Sequence, residues 1–227
     1  MIRILGKPEC PHCWKLRLAL SEAGIPHHSL AVDPADEQNR ETLNRYSPQG
    51  TVPVLTDGEV VLWDSSIMIE YVADLGGPGV DLFPGNAAAR ARARNIQHYS
   101  DTIAGPALQS AIYKIRHVPK SERRKDKAAD GWLGCQAHLE KLLGDRTFFA
   151  GDAFSVAECA LAPRFGLAER YGVGVTTKFP NLVRWFAALK ARPSYGATLP
   201  DVFSRPTAKP AKTSGEKRPF RGIMPPT

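Results

Sequence analysis

The sequence predicts an α/β half followed by an all-helical half. Strand-like and helix-like segments alternate over the first 75 residues, the run Gly76-Gly77-Pro78-Gly79 interrupts the chain, and no strand pattern appears after residue 87. We therefore expect one domain at 1–76, a linker at 77–86 and a helical domain at 87–200. The remaining segment, 201–227, is basic and rich in proline, so we expect it to be a mobile tail.

The first half contains seven predicted elements in the order βαβαββα. Gly24 ends the first helix, and Asp57-Gly58 is typical of the tight turn in a hairpin. The predicted strands cover 1–6, 28–32, 52–56 and 60–63, and the predicted helices cover 11–23, 36–46 and 65–75. This order is that of a thioredoxin-like domain.

The second half is predicted to hold four main helices, at about 87–117, 122–143, 156–171 and 180–192. Ser155 and Glu158 precede the third as a capping box, in which each side chain satisfies a backbone N–H near the helix start. Phe154 then lies at the position that packs against Cys159. We therefore expect Cys159 to serve in packing rather than in redox chemistry.

The motif Cys10-Pro11-His12-Cys13 lies between the first strand and the first helix. A helix N-terminus carries a partial positive charge and unpaired N–H groups, which favour the reactive thiolate. A zinc site would need a second ligand pair, but Cys135 and Cys159 belong to no CxxC, and the histidines form no ligand pair. The motif therefore predicts a redox-active dithiol without metal, with a purely structural dithiol as the alternative.

The net charge of +7 is concentrated near the C-terminus, because six basic residues and one acidic residue lie in 205–221. The rest of the chain is nearly balanced, which does not favour a nucleic-acid-binding face. No signal-peptide pattern and no apolar run of membrane-spanning length is present. We therefore expect a cytoplasmic protein that binds neither nucleic acid nor membrane.

Two further motifs are Gly50-Thr51-Val52-Pro53-Val54-Leu55 and Trp63-Asp64-Ser65-Ser66-Ile67. With CPHC and the capping box, they resemble the cytosolic glutathione transferase superfamily over about residues 1–200. CPHC is similar to the cysteine-type members, the omega-like transferases and the two-domain glutaredoxins. The resemblance implies a thioredoxin-like domain followed by an all-helical transferase C-terminal domain. It also implies glutathione as co-substrate, a small electrophilic or disulfide substrate, and a possible homodimer.

The resemblance assigns roles to particular residues. A cis bond before Pro53 would let the Val52 backbone pair with the cysteinyl backbone of glutathione. Asp64 and Ser65, at the start of the third helix, would bind the γ-glutamyl group, although Asp64 is one methylene shorter than the usual glutamate. Three residues are candidates for the glycine carboxylate: Asn39, Arg40 and Gln49. Two tyrosines are candidate walls of the acceptor site: Tyr99 and Tyr113.

The predicted function is a glutathione-dependent thiol transferase, or thiol–disulfide oxidoreductase. Cys10 attacks a mixed disulfide, and either a second glutathione or Cys13 releases the enzyme; His12 is a candidate to favour the Cys10 thiolate. The alternatives are a conventional conjugating transferase and a non-catalytic interaction protein on the same scaffold. Periplasmic disulfide oxidases share CPHC, but here only 39 residues separate Cys13 from Pro53 and the helices follow afterwards.

Overall fold

Four strands form one mixed sheet. The computed structural model describes residues 1–118 and 127–204. The strands are β1 (Ile2–Gly6), β2 (His27–Ala31), β3 (Val54–Asp57) and β4 (Val60–Leu62). Their order across the sheet is β2-β1-β3-β4. β1 runs parallel to β2 and antiparallel to β3, and β4 is antiparallel to β3.

Three helices complete this half: α1 (Pro11–Glu22), α2 (Glu37–Tyr46) and α3 (Ser65–Leu75). The predicted order βαβαββα and the thioredoxin-like fold are confirmed. The predicted strand 52–56 is observed two residues later, from Val54, since Pro53 has no N–H to donate to a neighbouring strand. The predicted strand 28–32 begins and ends one residue earlier.

Helices alone make up the second half, as predicted, within the described residues after 86. They are α4 (Ala87–Tyr99), α5 (Gly105–His117), α6 (Lys127–Leu143), α7 (Val156–Arg170), α8 (Pro180–Lys190), α9 (Pro193–Thr198) and α10 (Asp201–Ser204). None of the described helices is both long and apolar enough to cross a bilayer. The first part of the predicted helix 122–143 and most of the predicted tail lie outside the described residues.

The prediction of one uninterrupted helix over 87–117 is wrong. A π-helical segment, Ser100–Ala104, separates α4 from α5. Pro106 in the first turn of α5 cannot donate the hydrogen bond that a continuous α-helix needs, and the wider turn accommodates that loss. Two short helices after Lys190, α9 and α10, were not predicted from the sequence.

Helix α1, which begins at Pro11 within the CPHC motif, is buried between the sheet and the second half, where it packs against α7. Trp14, the residue directly after the motif, is fully buried. Its Nε1 donates to Thr198 Oγ1 at 3.0 Å, and its ring centroid lies 5.4 Å from that of Tyr195. A Cβ at Gly166 would lie 2.6 Å from the Trp14 ring, so the absence of a side chain there permits this contact. The two halves are therefore packed together directly behind the motif.

The predicted capping box is confirmed at the start of α7. The Ser155 N–H donates to Glu158 Oε2 at 3.0 Å, and Ser155 Oγ accepts from the N–H of Ala157 at 3.2 Å. The other oxygen of Glu158 accepts from the Phe149 N–H at 2.8 Å. Cys159 in the same turn is fully buried, and burial raises the pKa of its thiol. These observations agree with a packing role for Cys159.

Candidate active site

Cys10 is the N-cap residue of α1, and Pro11 is the first helical residue, as predicted. The thiol of Cys10 is half-buried, whereas Cys13, one turn later, is fully buried. A Cβ at Gly6 would lie 2.8 Å from Cys13 Sγ. The glycine at the end of β1 therefore leaves space for the second sulfur of the motif.

The pKa of the Cys10 thiol is lowered to about 6. The largest cause is the Cys13 thiol, which acts as a hydrogen-bond donor toward the Cys10 sulfur; burial opposes it. The backbone N–H groups of Cys13 and His12 and the charge of Arg164 lower the pKa further.

Cys13 has the opposite character. Burial raises the pKa of its thiol well above the usual value, and the neighbouring Cys10 sulfur raises it further. At neutral pH Cys10 is therefore mainly a thiolate, and Cys13 is a neutral thiol. This asymmetry gives the motif one nucleophile and one hydrogen-bond donor.

His12 lies in the first turn of α1 rather than in a loop, and its side chain is 35% exposed. Burial, followed by the charge of Arg164, lowers the pKa of its imidazole to about 4, although Asp101 opposes the shift. The ring is therefore neutral at physiological pH. The backbone N–H of His12 lowers the pKa of the Cys10 thiol, whereas the neutral ring supplies no positive charge. The role predicted for His12 therefore stays a prediction.

A buried cluster of charges behind the motif was not predicted from the sequence. Lys15 Nζ on α1 lies 2.6 Å from Asp101 Oδ2 in the π-helical segment, and Arg164 Nη2 on α7 lies 3.2 Å from Asp101 Oδ1. The Lys15 and Arg164 side chains are 1% and 3% exposed. Burial raises the pKa of the Asp101 carboxyl. The charge of Lys15, the charge that His12 carries once it is protonated in acid, and the charge of Arg164 outweigh burial and lower this pKa.

A signal for this cluster was present in the sequence. Lys15 lies between Trp14 and Leu16, and Arg164 interrupts an otherwise mostly apolar helix. A charged residue at a position that the helical pattern buries indicates a buried partner. The sequence did not indicate that Asp101 is this partner.

The residues predicted to bind glutathione lie at the ends of β3 and α3. The Val52–Pro53 bond is cis, as predicted. Asp64 is the N-cap residue of α3: its Oδ1 accepts from the N–H groups of Ser66 at 2.8 Å and Ile67 at 3.2 Å. The Ser65 hydroxyl lies 3.3 Å from His12 Nδ1. The structure therefore connects the start of α3 to the CPHC motif through His12.

The other candidates have their contacts elsewhere. Gln49 is exposed, and its N–H donates to Ser47 Oγ at 3.4 Å. Arg40 lies 3.8 Å from Glu37 in the same helix. The remaining candidates also have partners: the Asn39 N–H donates to Asp36, the Tyr99 ring packs on His138, and the Tyr113 ring packs on His117. Their proposed roles therefore stay predictions.

In the part of the chain that the structure describes, no three His, Cys, Asp or Glu side chains are grouped to hold a metal ion. The groups that the structure places at the site are the Cys10 thiol, the Cys13 thiol and the surrounding hydrogen-bond donors. A thiolate can attack one sulfur atom of a disulfide, so that a new disulfide forms and the other sulfur leaves as a thiolate.

Comparisons with known proteins agree with this architecture. Residues 9–75 match the model of the glutathione S-transferase N-terminal domain, and residues 99–193 match that of the C-terminal domain. Glutathione S-transferase U8 of Arabidopsis thaliana is 30% identical over 192 residues, which cover 81% of this chain and 82% of that relative. Glutathione S-transferase GstB of Escherichia coli strain K12 is 27% identical over 201 residues, covering 86% and 95%.

The fold is also shared with solved structures. A theta class glutathione S-transferase from Xanthomonas axonopodis pv. citri, solved with glutathione bound, has a TM-score of 0.74 at 23% identity, covering 87% of this chain and 96% of that one. The similarity covers most of both halves described above. The chain belongs to the glutathione S-transferase family, in which glutathione is the co-substrate.

Proposed function

We propose that this protein is a cysteine-type, glutathione-dependent thiol transferase that reduces glutathione mixed disulfides through Cys10. The observation that carries the proposal is the thiol of Cys10, the N-cap residue of α1, whose pKa is lowered to about 6. Such a group is mostly ionised at pH 7, and the thiolate is the form that attacks sulfur. A conjugating enzyme only has to activate the thiol of glutathione, so it needs no acidic cysteine thiol of its own.

In the proposed reaction the Cys10 thiolate attacks the glutathione sulfur of a mixed disulfide. A new disulfide forms between Cys10 and glutathione, the original sulfur–sulfur bond breaks, and the other thiol leaves as a thiolate that takes a proton from water. A second glutathione thiolate then attacks the glutathione sulfur of this intermediate. Oxidised glutathione leaves, and Cys10 returns to the thiolate form.

Cys13 supports this route as a donor to the Cys10 sulfur. Its own thiol is buried and has a raised pKa, so little of it is present as the attacking thiolate. Release by a second glutathione therefore has the advantage over release by an intramolecular Cys10–Cys13 disulfide. In this proposal the catalytic pair of the CPHC motif consists of a nucleophile and a hydrogen-bond donor.

Glutathione is proposed to lie along the Val52 backbone, with its γ-glutamyl group at the start of α3. The N–H groups of Ser66 and Ile67 are already bonded to Asp64, whereas the Ser65 N–H has no acceptor among residues 1–118 and 127–204. That N–H and the Ser65 hydroxyl suit a carboxylate. Asp64 uses one oxygen as the cap, which leaves the other for the γ-glutamyl amine. The assignment of Gln49 to the glycine end also remains part of the proposal.

The proposal is tested by comparing Cys10→Ser and Cys13→Ser in the reduction of the mixed disulfide of glutathione and 2-mercaptoethanol. We expect Cys10→Ser to lose all measurable reduction, and Cys13→Ser to keep turnover because a second glutathione completes the cycle. Mass spectrometry of Cys13→Ser after exposure to the mixed disulfide should show one glutathione attached at Cys10. Retention of activity by Cys10→Ser would contradict the proposal.

Conventional conjugation is the second candidate, because the similar relatives are named as transferases. The aryl halide chlorodinitrobenzene separates the two functions. We expect conjugation by the wild-type protein to be slower than disulfide reduction, with a gain or no change in Cys10→Ser. Rapid conjugation that Cys10→Ser abolishes would favour the second candidate. The homodimer and the cytoplasmic location also stay predictions.

A further inference from the structure

We propose that Arg164, in the all-helical half, is a positioning residue that orients the Ser65 hydroxyl toward glutathione through the ring of His12. The inference rests on the proposed binding of glutathione at the start of α3. It adds a residue from the second half, 99 positions away from Ser65 in the sequence, to the control of that site.

The first step is the protonation pattern of His12. Arg164 Nη2 lies 3.1 Å from His12 Nε2, and a guanidinium can only donate, so Nε2 must be the acceptor. A neutral imidazole with an unprotonated Nε2 carries its hydrogen on Nδ1. The arginine therefore selects one tautomer of the histidine.

The second step is the direction of the next hydrogen bond. His12 Nδ1 lies 3.3 Å from Ser65 Oγ, and the selected tautomer makes Nδ1 the donor and the hydroxyl oxygen the acceptor. The hydroxyl hydrogen of Ser65 is then free to donate to a carboxylate. The opposite tautomer would accept that hydrogen and turn the hydroxyl away from an anionic ligand.

The third step is that the arginine is fixed in place. Its Nη2 also bonds to Asp101 Oδ1, at 3.2 Å, and its side chain is 3% exposed. A Cβ at Gly105 would lie 2.8 Å from Cζ of Arg164, so the guanidinium lies directly against the start of α5. Lys15 holds the other oxygen of Asp101 at 2.6 Å. The donor to His12 is therefore held by three elements.

Other charged groups also face the His12 ring. Asp101 Oδ1 lies 3.5 Å from Nδ1, which is longer than the distance to Ser65, and the same oxygen already accepts from Arg164. Lys15 and Asp64 act on the ring more weakly and with opposite signs. Arg164 and burial keep the ring neutral, which the tautomer argument requires.

The test is a double-mutant cycle on the affinity for S-methylglutathione, which binds but cannot form a disulfide. We expect Ser65→Ala to weaken binding about tenfold, as for the loss of a hydrogen bond to a charged group. Arg164→Met should weaken it by about three- to tenfold, and the double variant should bind no more weakly than Ser65→Ala alone. The matched control is Arg184→Met, an arginine that bonds only to the carbonyls of Gly144 and Arg146 among the described residues.

The double-mutant cycle distinguishes a failure of the role proposed for Arg164 from a failure of the proposed glutathione placement. Additive losses, or an unchanged affinity in Arg164→Met, would overturn the role of Arg164, because a purely structural effect acts whether or not the hydroxyl is present. Unchanged affinity in Ser65→Ala would instead overturn the proposed glutathione placement. If Arg164→Met does not fold, His12→Phe breaks the same path at the ring, and its cycle with Ser65→Ala must show the same non-additivity.

Discussion

Arg164 on α7 donates a hydrogen bond of 3.1 Å to His12, the residue between the prolyl and cysteinyl positions of the CPHC motif. This bond joins the all-helical half to the first turn of the helix that carries the nucleophile. Trp14, two residues later, adds a second connection through its hydrogen bond to Thr198. The helix that begins next to the reactive thiol is therefore held by hydrogen bonds from the second half of the chain.

The Cys13 thiol is the largest cause of the low Cys10 pKa, so its removal should raise that pKa. We expect Cys13→Ala to raise it by about one unit, which corresponds to ~1.4 kcal/mol. The measurement is the rate of alkylation of Cys10 by iodoacetamide as a function of pH. Cys135→Ala, which changes a cysteine on α6, is the control. An unchanged midpoint in Cys13→Ala would show that the helix start alone makes Cys10 acidic.

Asp101 neutralises two buried cations, so Asp101→Asn should destabilise the fold. We expect a loss of about 3 kcal/mol in the free energy of unfolding, measured with urea at pH 7, since one partner of a buried ion pair is removed. The control is Glu169→Gln, whose partner Lys190 is exposed; we expect it to cost about 0–1 kcal/mol. Equal losses in the two variants would contradict a structural role for the buried cluster.

The contribution of Asp101 to the free energy of unfolding also depends on pH. Its folded pKa is lowered, so its contribution is present above the unfolded pKa of about 4 and is lost as the pH falls through the folded pKa. The difference in stability between wild type and Asp101→Asn should therefore shrink in acid. A difference that grows as the pH falls would show that the carboxyl is not ionised in the folded state.

Gly105 and Gly134 should respond oppositely to alanine. Alanine in a helix usually stabilises relative to glycine by about 0.5–1 kcal/mol, and we expect that gain for Gly134→Ala, where a Cβ meets no atom within 4 Å. At Gly105 the new Cβ would lie 2.8 Å from the Arg164 guanidinium. Gly105→Ala should therefore lower the melting temperature and weaken binding of S-methylglutathione. A gain in both variants would mean that Arg164 is not fixed against α5.

Asp64 combines a helix cap with a proposed ligand contact, and two substitutions separate them. Asp64→Asn keeps a side chain that can cap α3, so stability should change by only a few tenths of a kcal/mol, whereas Asp64→Ala should cost about 1 kcal/mol. Both variants should weaken glutathione binding if the carboxylate holds the γ-glutamyl amine. Full affinity in Asp64→Asn, measured by calorimetry, would restrict Asp64 to the capping role.

The sequence predicted the features that depend on neighbouring residues. The CPHC motif at a helix start and the capping box of Ser155 and Glu158 each have a local physical cause, and both were confirmed. The cis bond before Pro53, which the family resemblance implied, is also observed. The cluster of Lys15, Asp101 and Arg164 depends on how three distant segments pack, so no local pattern specifies it.

Two other differences between the predicted and the observed structure also arise from contacts between distant segments. The apolar pattern alone predicts one continuous helix over 87–117, but a π-helical segment interrupts it before Pro106. The helix α9 forms because Tyr195 and Thr198 pack on Trp14, which is far away in the sequence. Tertiary contacts decide the structure at these positions, whereas the motif residues are decided by local chemistry.

The most direct test of the account is the titration of the Cys10 thiol in the wild-type protein. Thiolate absorbance in the ultraviolet, taken as the difference between wild type and Cys10→Ser, measures this one group. The account predicts a midpoint near pH 6, with the thiolate dominant at neutral pH. A midpoint at about 8.5, the value of an ordinary cysteine, would contradict the claim that this structure makes Cys10 the nucleophile.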